Sequence, residues 1–169
     1  MLREHLKQGG AMGTGLDRLG LRAPTASLLP WSRWITPKVA ALTRRRFDAR
    51  FFVARAMDGQ EAVHDAHEAT EVVWLRPREA LERYWAREID LAPPQIMTLA
   101  HFAAFATVDA LIEMGRRRLP PLVLPQIIQA WPARCMAYPG DPAHEIGERA
   151  WPGPTRLMVC EGRFEPEGG

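Results

Sequence analysis

Cysteine, lysine and long apolar runs are what this chain has least of. Cys135 and Cys160 are the only cysteines in 169 residues. They are too few and too far apart for a disulfide framework or a cysteine-rich zinc site, which suits a reducing compartment. No apolar stretch approaches the length of a membrane span, and Met1 to Gly15 carries no hydrophobic signal segment. The expected location is therefore cytoplasmic, with no membrane partner. Of the 22 basic residues only Lys7 and Lys38 are lysine, a compositional habit rather than a chemical device. An excess of one sign of charge is also missing: 22 basic against 20 acidic residues leave a formal +2. No whole-molecule field draws in nucleic acid, and any polyanion site must be local. What remains, 47% hydrophobic and 25% charged residues, is the composition of one ordinary domain with a sizeable core.

Periodicity and punctuation divide the chain. Leu2 to Gln8 and Gly15 to Leu21 read as short helices separated by glycine. Leu28 to Thr36 suits a strand that Pro37 ends. Arg46 to Arg55 is the strongest strand pattern, apolar on both faces and so expected to be central and covered on both sides. Asp58-Gly59 signals a turn, Ala62 to Ala69 a polar loop, and Thr70 to Leu75 a return to strand. Pro77 opens a helix, where its missing N–H costs nothing, and Ala80, Leu81, Tyr84 and Trp85 form the apolar stripe. After Pro93-Pro94 the spacing of Ile96, Leu99, Ala103, Ala106, Ala110, Leu111 and Met114 predicts one long helix capped near Gly115. Strands are expected at Leu122 to Ala130 and Thr155 to Cys160, flanking a Pro- and Gly-rich segment. Strands with covering helices imply an α/β layered fold, with 1–118 as its body and 119–169 as a β-rich extension packed on the same domain.

Two polar constellations carry chemistry. Arg46, Asp48 and Arg50 place charges between Phe47, Phe51 and Phe52. They suit an ion-pair network at a strand start or, because a guanidinium fork donates two parallel hydrogen bonds, a phosphate-binding wall. His64-Asp65-Ala66-His67-Glu68 gathers four groups able to transfer protons or bind a metal, or else forms a solvated loop. A zinc site there would need ligands from elsewhere, and none is visible. Trp74, Leu75 and Pro77 read as core and helix entry. Arg116 to Arg118 read as a cationic complement to a helix C-terminus. His5, His101 and His144 stand isolated.

Trp34-Ile35-Thr36-Pro37, Arg46-Phe47-Asp48-Ala49-Arg50-Phe51-Phe52, the His64 to Glu68 run, and Trp74-Leu75-Arg76-Pro77 leading to Glu79-Ala80-Leu81 occur in an order that resembles the C-terminal half of Nudix hydrolases, in the coenzyme A diphosphatase branch. Fainter echoes follow in Pro139 to Pro142, Gly153 to Arg156 and Glu161 to Phe164. The resemblance implies an α/β/α Nudix sandwich with a mixed sheet, and Mg2+ or Mn2+ as cofactor. It implies a nucleoside-diphosphate-linked small molecule as substrate, with coenzyme A or acyl-coenzyme A favoured. It makes Glu68 the candidate general base, with Arg46, Asp48, Arg50, His64 and Asp65 as substrate contacts beside the diphosphate.

The family's metal-binding motif, G-x5-E-x7-R-E-U-x-E-E-x-G-U, does not occur in the chain. Its nearest echo, Arg3-Glu4-His5-Leu6-Lys7-Gln8-Gly9-Gly10, has Lys7 and Gln8 where the two metal-binding glutamates belong, so no metal ligand is assigned. The expectation is therefore an incomplete sandwich, a piece or late start of a longer protein or else a pseudo-enzyme, with weak or no hydrolysis. A non-catalytic ligand-binding or regulatory module is the alternative, a histidine-based metal protein a third reading, and a homodimer through bare sheet edges a further possibility for assembly.

Overall fold

The computed structural model describes residues 1–37, 46–59, 61–64, 71–130 and 133–166. The chain opens with two short helices, α1 (Leu2–Lys7) and α2 (Met12–Arg18), then runs through strands β1 (Leu29–Ile35) and β2 (Asp48–Val53). Three helices follow, α3 (Pro77–Trp85), α4 (Pro93–Phe102) and α5 (Val108–Arg117), and then strands β3 (Leu122–Val123), β4 (Gln126–Ala130), β5 (Ala133–Ala137), β6 (Arg156–Cys160) and β7 (Arg163–Pro166). The strands form a three-stranded sheet, β2-β1-β3, and a four-stranded antiparallel sheet, β4-β5-β6-β7. In the first, β1 pairs antiparallel with β2 and parallel with β3, so that sheet is mixed and the fold combines it with helices as an α/β domain. No helix among the described residues is long and apolar enough to cross a membrane.

The centre of the three-stranded sheet is β1, and this corrects the expectation for Arg46 to Arg55. Among the described residues β2 pairs with β1 alone, and its exposure alternates residue by residue. Ala49, Phe51 and Val53 turn inward, whereas Asp48, Arg50 and Phe52, half exposed at 50%, face out. The aromatic pair Phe51-Phe52 mimicked a strand covered on both faces; in fact it straddles the sheet of an edge strand. In β1 a register shift between Pro30 and Ser32 inserts one residue opposite β2. Trp31 and Trp34 are both buried, at 0% and 3% exposure.

The helices differ from the sequence pattern in several places, beginning with α2, which runs Met12–Arg18 rather than Gly15 to Leu21. The apolar spacing from Ile96 to Met114 runs through two helices, because Thr107 is extended and its Oγ1 accepts from the Ala110 N–H at 3.1 Å, capping α5. Gly115, expected as a terminus, lies inside α5 against Leu29 and Trp31. Pro77 does open α3 and Ala80, Leu81 and Tyr84 are buried, but Trp85 lies half exposed at 48%. Residues 71–76 form no strand, and Trp74 is 74% exposed rather than core.

In the C-terminal part, Leu122 to Ala130 divides at Leu124-Pro125, giving β3 to one sheet and β4 to the other. The hairpin of β6 and β7 turns on Glu161 and Gly162, both at positive φ, which brings the strands back with the twist of a primed turn. The core joins both regions of the chain. Trp34, Leu81, Tyr84, Ile96 and Met97 pack with Val123, Met136, Tyr138, Trp151 and Leu157 in one cluster.

Candidate functional site

The outer face of the β1–β2 ribbon gathers charge. Arg33 stands opposite Arg50 in the register, and Asp48 lies two residues before Arg50 on the same face of β2. Arg33 donates from Nε and Nη2 to the two carboxylate oxygens of Asp48, at 2.8 and 2.5 Å. This fork holds the Asp48 carboxyl below its ordinary range, chiefly through the Arg33 hydrogen bonds. Arg50 acts on the same carboxylate by its charge. Arg46 is exposed, and its Nε donates to the Thr36 carbonyl at 3.0 Å. The Thr36 Oγ1 in turn accepts from the Phe47 N–H at 3.0 Å, so the Thr-Pro end of β1 anchors the entry to β2.

Three of the predicted contacts, Arg46, Asp48 and Arg50, thus share one ribbon. His64 is exposed, and its carbonyl accepts from Arg3 Nη1 at 3.5 Å. Asp65 and Glu68 lie outside the described residues. Arg33 is the participant that the sequence reading missed. Its signal was a charged residue between Ser32 and Trp34 in an otherwise apolar strand, a position that demands a cross-strand partner.

The fainter motifs meet elsewhere. Asp141, 2% exposed, accepts from Arg156 Nε and Nη2 at 2.8 Å each and from the Ala143 N–H. Arg156 lowers its pKa first by these bonds. Arg163 stacks over the Tyr84 ring with its Cζ 4.2 Å from the centroid, pairs with Asp90 at 2.8 Å and donates to the carbonyls of Tyr84 and Ile89. These arginines organise the fold through contacts within the protein.

Among the described residues, no three His, Cys, Asp or Glu side chains come together to hold a metal ion. The single acid of α1, Glu4, accepts from Gln8 Nε2 at 3.3 Å, with Lys7 beside it. A divalent cation needs several oxygen donors and is repelled by an ammonium, so the described residues do not fit it.

Residues 16–102 match the NUDT19 Nudix domain family, and the chain belongs to that family. It is 37% identical over 87 residues to the acyl-coenzyme A diphosphatase NUDT19 of Xenopus laevis, covering 50% of this chain and 23% of the relative. The human acyl-coenzyme A diphosphatase NUDT19 is 36% identical over 101 residues, 56% of this chain and 27% of the relative. The Gallus gallus protein of the same name is 31% identical over 155 residues, 85% of this chain and 40% of the relative. The chain thus spans less than half the length of these relatives. No solved structure matches it. The matched span contains the whole β1–β2 ribbon, α3 and α4.

Proposed function

We propose that this chain supplies the substrate-positioning part of a Nudix diphosphatase fold acting on coenzyme A or acyl-coenzyme A. The observation that carries this reading is the arginine-rich outer face of the β1–β2 ribbon, inside the span that matches the family. Arg46 and Arg50 approach the diphosphate, each offering a planar fork of donors. Asp48 orients Arg33 on the same face, where the fork already exists. His64 and Asp65 flank the ligand, and Glu68 is the general base, a carboxylate able to take a proton from attacking water.

Residues 1–118 form the Nudix-like body, part of an α/β/α sandwich, and 119–169 the β-rich extension. The family's cofactor is Mg2+ or Mn2+, which in a complete site polarises the diphosphate. This chain's sequence lacks the glutamate motif that would bind it, so we assign it weak or no hydrolysis by itself. One contrast supports the alternative of a non-catalytic ligand-binding module: the arginine face is formed, while no three metal-ligating side chains meet among the described residues.

The test is incubation with coenzyme A and acetyl-coenzyme A in Mg2+ or Mn2+, following release of 3',5'-ADP, with thermal-shift measurements in EDTA beside it. Little turnover, with stabilisation by coenzyme A that Arg50→Ala weakens, is the expected result. Turnover equal to that of a complete NUDT19 relative would refute the assignment of inactivity. Absence of any coenzyme A binding would refute the positioning role.

A further inference from the structure

A second cleft, of about 390 Å3, opens between α4, α5 and the turn around Trp151, lined by His101, Phe105, Met114, Arg118, Trp151 and Pro152. None of the residues read as substrate contacts borders it. Its size is at the small end of the range for small-molecule sites, and its walls are mostly apolar.

Two polar side chains in it each keep one buried nitrogen without a hydrogen-bond partner among the described residues. Arg118 lies with its Cζ 4.4 Å from the centroid of the Trp31 ring and donates from Nη2 to the Trp31 carbonyl at 3.0 Å. Its Nε is buried with no hydrogen-bond partner among the described residues. Burial alone lowers its pKa, and no described carboxylate acts on it, although Glu148 and Arg149 border an adjoining groove that Arg118 also lines. A guanidinium partly withdrawn from water without an anion carries a cost, and Trp31 offsets part of it. His101, 2% exposed, has its Nδ1 buried and equally without partner. Burial first, and the Arg118 charge second, push its pKa down to about 4, so at neutral pH it is an uncharged ring with one donor and one acceptor nitrogen. That ring is set among Trp31, Phe105 and Trp151, at centroid separations of 5.1, 5.4 and 5.7 Å.

We propose that this cleft binds a small organic monoanion with a flat apolar body, of the aromatic carboxylate class, its carboxylate on Arg118 and its ring against Phe105, His101 and Trp151. The pairing follows from what the cleft lacks. One unneutralised cation calls for one anionic head, and a guanidinium that lines the cleft with no carboxylate beside it among the described residues suits a carboxylate. The aromatic walls call for a planar face that can stack in offset or edge contact. An aliphatic acid lacks the face, and a neutral arene leaves Arg118 uncompensated. The proposal goes beyond the diphosphatase reading and stands or falls without it.

The experiment is NMR titration of the indole N–H resonances of Trp31 and Trp151 with benzoate, benzyl alcohol and acetate. Saturable shifts with benzoate, at a Kd of about 1 mM, are expected for a ligand of this size. Benzyl alcohol, which keeps the ring and loses the charge, and acetate, which keeps the charge and loses the ring, should each bind at least about ten-fold more weakly. Arg118→Gln should weaken benzoate by about ten-fold or more while Arg118→Lys retains part of the affinity. If Arg118→Gln does not fold, the three-ligand comparison on the unaltered chain decides. Equal affinity for benzoate and benzyl alcohol would overturn the proposal. So would the absence of saturable shifts with benzoate.

Discussion

Replacing Tyr84 by phenylalanine tests how much one phenol adds to the contacts that hold the C-terminal sheet to the helices. The Tyr84 side chain is 2% exposed. Its hydroxyl accepts from the Phe164 N–H at 2.8 Å and donates to the Phe164 carbonyl at 3.1 Å, so a single oxygen serves both backbone groups of that residue. In the strand order β7 is terminal, with β6 on one side only. The phenol therefore does for the outer edge of β7 at Phe164 what a further strand would do. Tyr84→Phe keeps the ring and its stacking with Arg163 and removes only the oxygen. Each lost bond costs about 0.5–1.5 kcal/mol net, and an abandoned part-buried amide adds to that, giving about 2 kcal/mol in all. For a chain of this length that is a fall in Tm of about 4–8 °C. Urea unfolding at neutral pH gives the free energy, and amide hydrogen exchange gives its location: Phe164 should lose protection ahead of the residues of β4 and β5. A change under about 0.5 kcal/mol with Phe164 protection intact would refute the reasoning, since it would mean that water replaces the phenol at no cost.

Three further outcomes are expected. Because the folded-state pKa of His101 is depressed to about 4 from its usual 6.5, the unfolded chain binds the proton first, so stability should fall as pH drops from 6.5 to 4, by at most about 3 kcal/mol. His101→Phe should flatten that part of the urea-midpoint profile, and an unchanged slope would assign it to other groups. Asp141→Asn should cost about 3 kcal/mol by leaving the Arg156 fork half paired in a nearly buried site. Since Arg156 depresses the Asp141 pKa, that contribution is complete above the usual 3.8 and lost as pH falls through the folded value; chemical denaturation of wild type and variant should converge in acid. Gly115→Ala should gain about 0.5–1 kcal/mol of helix propensity and lose more to crowding, for a net cost of about 1 kcal/mol by urea midpoint. Its Cβ would come 2.6 Å from the mobile Leu29 Cδ2 but also 3.1 Å from Trp31 Cζ3, whose fully buried ring is held by Phe102, His101 and Arg118.

The parts of the structure legible in the sequence are those set by local chemistry. Pro77 at a first helical position, the strand ended by Pro37, and the inward spacing of Ala80, Leu81 and Tyr84 each follow from backbone sterics or a single period. Where two rules competed, the pattern misled. The apolar spacing of Ile96 to Met114 outweighed Thr107, although a threonine followed two residues later by Asp109 was a readable helix start. In Arg46 to Arg55 two adjacent aromatics imitated burial on both faces, and only the pairing with β1 shows which of them is exposed. The charged ribbon was half legible for the same reason. Asp48 and Arg50 share a face because strands alternate, but Arg33 joins them through a cross-strand register that a bulge shifts by one residue, and Arg46 lies just before the strand, tied to Thr36.

The His101–Arg118 cleft lay beyond such reasoning altogether, because its significance comes from what is missing around it. In the sequence His101 is an isolated histidine, and Arg118 closes a run of arginines that would complement any helix end. Only the fold shows that α4 and α5 bring them against Trp31 and Trp151 with a guanidinium nitrogen and a ring nitrogen left unmatched. Exposed charges such as Arg33 and Asp48 satisfy each other or water at little cost. A half-buried Arg118 meets no carboxylate within the described residues, and that difference gives the quieter cleft its own claim on an anionic ligand beside the more charged ribbon.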